Sequence, residues 1–135
     1  MNFLKFYFVT LLILLVFDIA WIGYAAKNFY KEQFGLLMRK DINMLAAAIC
    51  YAIIGLALTH FAVKPSIDLG SSAIATMNGA IFGFASYAIY NLTNYATIEG
   101  WTLKMVLVDT SWGTLVCTAS SILSNKIIKI LGLGF

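Results

Sequence analysis

The chain has one proline, one histidine and two cysteines in 135 residues, and only 11% of it is charged. Each shortage excludes something. A structural zinc site draws four ligands from cysteine and histidine. Cys50 and Cys117 sit far apart in apolar stretches, at a spacing that matches no metal motif. They read as small buried thiols that pack like alanine. His60 falls near the opposite end from the buried acids described below, so Asp18, Asp109 and His60 make a poor ligand set, and neither a metal nor a cofactor is expected. Nine basic and six acidic residues leave a net charge of +3 with no basic run, which excludes nucleic acid as a partner. The chain also lacks a phosphate-binding loop and a recognisable nucleophile, so group transfer is not expected.

What the chain has in quantity is apolar length. It is 61% hydrophobic with a mean hydropathy of +0.88. Stretches near twenty residues cross a hydrocarbon layer, and four are present: Phe6–Ala26, Asn43–Val63, Ser72–Thr97 and Thr102–Asn125. The first is too long for a signal-peptide core and carries Asp18, and it meets Tyr24 and Lys27 rather than a small-residue cleavage site. Residues 1–135 therefore read as one all-α transmembrane domain, a four-helix bundle in contact with membrane lipids. An even number of spans puts both ends on one side, here side A. It carries Lys5, Lys64, Lys126 and Lys129, against Lys27, Lys31, Arg39, Lys40 and Lys104 on side B. Orientation follows such an excess in short loops, and these two sets are too even to set one.

Between the first two spans, Tyr30, Phe34, Leu37 and Met38 recur at helical spacing among basic residues. The pattern predicts a short amphipathic helix within 28–40 lying in the membrane interface. It reads first as a connector and second as a lid over a site. Pro65 is expected to end the second span. Gly100 breaks the chain before the fourth, with Trp101 as an interfacial anchor and Thr102 as the N-cap.

Two acids stand out against this background. Asp18 and Asp109 lie inside the first and last spans, each followed three residues later by tryptophan, Trp21 and Trp112. An aspartate at the centre of a span costs about 2.5–3.5 kcal/mol on insertion scales, so two in matching contexts point to a polar site. Helical rise turns position into depth. Asp18, Asp109, Asn91 and Tyr51 each fall about 12–13 Å below the side-B end, one polar group per helix in a single layer. Faces agree with depth. Gly79, Gly83, Tyr87, Asn91 and Asn94 share one face of the third span, with Tyr90 at its flank. Asp109, Gly113, Val116, Ser120 and Ser124 share one of the fourth; Ala48, Ala52, Gly55, Thr59 and Ala62 share one of the second. The first span offers Tyr7, Leu11, Leu14, Asp18, Trp21 and Ala25. The candidate ligand-binding set is Asp18, Trp21, Tyr51, Tyr87, Tyr90, Asn91, Asn94, Asp109 and Trp112. The plainer alternative is that both acids only hold helices in register.

The run Tyr87-Ala-Ile-Tyr-Asn91-Leu-Thr-Asn94-Tyr-Ala-Thr97, then Gly100-Trp101 and Asp109-Thr-Ser-Trp112-Gly113, resembles a family of small bacterial membrane proteins known as DUF2177. Asp18-Ile-Ala-Trp21-Ile-Gly23 and Phe29-Tyr30 are similar to its first-span signature, so the resemblance covers the whole chain. It implies a multi-pass protein of a bacterial inner membrane and carries no activity. It also implies an acid where this chain has Asn91.

Three functions compete. The first is binding or transport of a proton, a cation or an amine-bearing solute on the two aspartates, with Asn and Tyr supplying hydrogen bonds. Four helices leave little lumen, so transport would call for a homo-oligomer. The second is an embedded enzyme that uses the acid pair for acid–base chemistry on a lipid or isoprenoid, since two desolvated, mutually repelling carboxylates are not expected both to be ionised. The third is a structural partner in a membrane complex. An enzyme's site should open sideways to lipid, a carrier's to water on side B.

Overall fold

The computed structural model describes residues 2–134. Its first span is α1 (Asn2–Ala20), prolonged by a π-helical turn at Trp21–Ala25. The amphipathic α2 (Lys27–Phe34) follows and runs into a 3-10 turn, Gly35–Leu37. The second span combines α3 (Met44–Leu58), a π-helical turn at Thr59–Val63 and α4 (Lys64–Asp68). The third and fourth are α5 (Ser72–Thr97) and α6 (Leu103–Ile130). Four helical segments are thus long and apolar enough to cross a membrane, and among the described residues there is no strand.

Local chemistry explains the boundaries. Asn43 starts α3 by accepting from the Ala46 N–H at 3.0 Å, and Thr102 starts α6 by accepting from Met105 at 3.0 Å. The chain turns at Gly70 and Gly100, whose φ of +65° and +84° suit glycine. Pro65 does not end the second span, contrary to expectation; the helix runs on to Asp68. Proline cannot donate to the carbonyl four residues back, and that carbonyl, on Phe61, instead accepts from Asn78 of α5 at 2.8 Å. The preceding π-helical turn takes up the change of register.

Around the bundle, α6 packs on α5 and α1, and α1 packs on α3. α5 meets the second span mainly through Thr59–Val63 and α4, and α3 makes scarcely any close approach to it. The tightest seam is α5 on α6. A Cβ on Gly83 would run into the Gly113 carbonyl and come within 2.8 Å of the Cys117 Cβ. Small residues there let the two backbones close together. In α1 the buried row is Phe6, Thr10, Leu14 and Asp18. Steps of four form the ridge that packs against a neighbouring helix, so Phe6 and Thr10 complete the fully buried row, while the expected Tyr7 and Leu11 pack half-buried against α3 at Gly55.

Candidate functional site

Asp18 and Asp109 are 3% and 7% exposed, and both line one cavity of about 480 Å³ in the side-B half of the bundle. Tyr51 of α3 and Tyr87 and Tyr90 of α5 join them on its wall, with Trp112 of α6. Each is there for a local reason. Tyr87 lies flat across Gly113, where any Cβ would collide with its ring. Trp112 is one turn from Asp109 on α6, which points its indole across to α1.

The hydrogen bonds join four elements. Trp112 Nε1 donates to Asp18 Oδ1 at 2.7 Å. Asn91 Nδ2 donates to Asp109 Oδ2 at 2.6 Å and to the Tyr87 carbonyl at 2.9 Å. The Tyr30 hydroxyl donates to Asp109 Oδ1 at 2.6 Å and accepts from Trp21 Nε1 at 3.0 Å. Trp21 in turn stacks on Trp112, with centroids 4.3 Å apart and planes 7° from parallel. One circuit therefore runs from Asn91 through Asp109, Tyr30 and the two tryptophans to Asp18. Asp109 receives a donor on each oxygen, the pattern of a carboxylate acting as acceptor only. Asn91 Oδ1 is buried without a hydrogen-bond partner.

Of the sequence-selected residues, Asp18, Tyr51, Tyr87, Tyr90, Asp109 and Trp112 line the cavity. Asn91 and Trp21 stand behind it, each bonded to a group on the wall. Asn94 does not reach the wall. Cys50 differs from its expected place, since it is exposed and on the cavity wall; Cys117 is buried against the α5 seam as expected.

Tyr30 was placed on the connector by its sequence, yet it is a central member of the circuit. α2 and the turn that follows it fold over the side-B end of the cavity, bringing Tyr30, Phe34 and Met38 onto its wall. Tyr30 is buried, and desolvation together with its bond to Asp109 holds the phenol well above its ordinary range. The available signal was a lone phenol heading an otherwise plain apolar stripe.

The cavity is closed toward side A. Leu14, Leu58, Ala62, Val116 and Cys117 form an apolar cluster across the bundle interior just below it. Among the described residues no cluster of histidine, cysteine and acidic side chains could hold a metal ion.

No curated protein and no solved structure matches the chain. The family described as "Predicted membrane protein (DUF2177)" matches residues 3–125, nearly the full length. The chain belongs to this DUF2177 family of predicted membrane proteins.

Proposed function

We propose that the chain binds a cation inside the membrane, on Asp18 and Asp109. The observation that carries the reading is uncompensated charge. Two buried carboxylates line one cavity, and no lysine, arginine or histidine lines it with them. Among the described residues the one ion pair is Lys64–Asp68, on the exposed side-A end of the second span. A buried charge is costly unless paired, and acids within spans commonly mark ion or proton pathways. Here no side chain on the wall supplies that partner, which leaves a proton or a cation from outside the chain to balance the charge. Cation and proton therefore compete for the same oxygens.

Acid–base catalysis on a lipid is supported less. An acid–base pair needs two groups that exchange protons with the substrate, whereas Asp109 already accepts on both oxygens from Tyr30 and Asn91 and leaves only Asp18 for that role. A purely structural role accounts for the hydrogen bonds and leaves the cavity without an explanation. Transport, as distinct from binding, would require the apolar cluster below the site to part.

The test is proton release. Purified protein in lipid nanodiscs, weakly buffered, is titrated with tetramethylammonium or sodium chloride. Saturable acidification that is lost in Asp18→Asn supports the reading. If neither salt releases protons, or if the variant responds like the wild type, the cation reading is wrong.

A further inference from the structure

The side-B half of the second span stands away from the third. Within α3 only Gly55 and Leu58 are buried, and Ala48, expected on its inner face, is exposed. Lower down, Thr59–Val63 closes against α5. The result is a cleft between α3 and α5 at the depth of the two acids. Exposed Cys50 forms one lip, and Ser86 and half-exposed Tyr90 form the other. Toward side B, the direction from which a hydrated ion would arrive, Tyr30, Phe34 and Met38 cover the cavity. An opening between two spans at this depth would face lipid.

Aromatic side chains are the most numerous class on the wall. Tyr51, Tyr87, Tyr90, Phe34 and Trp112 present rings to a space that also holds two carboxylates. Asp109 has both oxygens bonded and Asp18 has one taken by an indole. What the wall still offers a ligand is ring faces and negative charge, the combination that recognises organic ammonium groups. A bare metal ion would need more free oxygen ligands than this wall supplies.

From this we propose that the ligand is a lipophilic organic ammonium ion, which enters sideways from the bilayer between α3 and α5. Its charged head sits among the rings between Asp18 and Asp109, and its apolar tail lies in the cleft and reaches lipid. The volume of about 480 Å³ falls in the range of small-ligand sites. This inference rests on the cation reading above and adds the ligand class and the route.

The experiment uses the full chain in lipid nanodiscs, with thermal midpoint and tryptophan emission as readouts. Probes are octyltrimethylammonium, tetramethylammonium and octanol. Variants are Asp18→Asn, which keeps the carbonyl that Trp112 needs, and Cys50→Trp, which fills the cleft from an exposed position. Octyltrimethylammonium is expected to act saturably at a concentration at least tenfold below tetramethylammonium. Cys50→Trp should remove that advantage and spare the tetramethylammonium response; Asp18→Asn should remove both. Equal potency of the two ammonium ions, or an octyl advantage that survives Cys50→Trp, overturns entry from lipid and leaves the cation reading standing. A saturable octanol response equal to that of octyltrimethylammonium, or responses unchanged in Asp18→Asn, overturns the cation reading as well. The absence of any saturable response overturns both.

Discussion

The Tyr30 hydroxyl reaches Asp109 at 2.6 Å across 79 residues of sequence, tying the interfacial helix to the last span. Because Tyr30 also accepts from Trp21, its removal strands two groups. Tyr30→Phe keeps the ring stacked on Phe34 while deleting the hydroxyl. A loss of about 1–3 kcal/mol is expected, the usual cost of leaving buried partners unsatisfied. It should come with faster hydrogen exchange confined to α2. Unchanged melting and exchange would mean that the bond contributes nothing to closure.

The same bond fixes a pH dependence. The folded-state pKa of Tyr30 is raised, first by desolvation and then by Asp109. A raised pKa means that its contribution is fully present below the unfolded value, about 10 for tyrosine, and falls as pH climbs toward the folded value. The stability difference between wild type and Tyr30→Phe should stay flat from pH 7 to about 10 and shrink above it. Alkaline thermal melts of the two proteins check this; a difference that grows above that pH has the wrong sign.

Asp18 and Asp109 should respond differently to amide substitution. Asparagine at 18 can still accept from Trp112 through its carbonyl. At 109 an amide offers one acceptor oxygen where Tyr30 and Asn91 now use two. Asp109→Asn should therefore melt lower, by about 1–3 kcal/mol in stability, with Asp18→Asn near wild type. Equal losses would show that the two acids are not distinguished by their donors.

Pro65 and Asn78 form a pair that a double-mutant cycle can isolate. Asn78→Ala leaves the Phe61 carbonyl without its partner, at a cost of about 1 kcal/mol. In a Pro65→Ala background the restored backbone N–H can serve that carbonyl, so the second substitution should cost little. Additive losses would dissociate Asn78 from the proline.

Gly83 and Gly23 provide a contrast in packing. Gly83→Ala drives a methyl group into the Gly113 carbonyl and the Cys117 side chain, whereas a methyl group at Gly23 meets nothing within 4 Å. The first should lose about 1–3 kcal/mol by overpacking, and the second should lose nothing, as read from thermal midpoints in the same detergent.

Apolar length and helical period were enough to read four spans, the amphipathic helix after the first, the Thr102 cap and the small-residue face of α5, though not that α6 packs on it. These are local or single-helix properties, written into spacing that any solvent of low polarity enforces. Depth arithmetic also assigned Asp18, Tyr51, Asn91 and Asp109 to one layer, because rise per residue is the same in every helix. Three things were decided only by how the helices meet. Helical period alone could not choose between Tyr7 and Phe6 for the inner row of α1, since neighbouring faces differ by a rotation that packing sets. Where the helix runs through Pro65, a side chain 17 residues away serves the carbonyl that the proline cannot. Tyr30 became part of the acid site when α2 folded back over the cavity. That contact depends on the π-helical turn at Trp21–Ala25 and the placing of α6, and neither can be read from the stripe that carries it. Period and composition fix what each helix can bury; only the packed bundle fixes which groups then face one another.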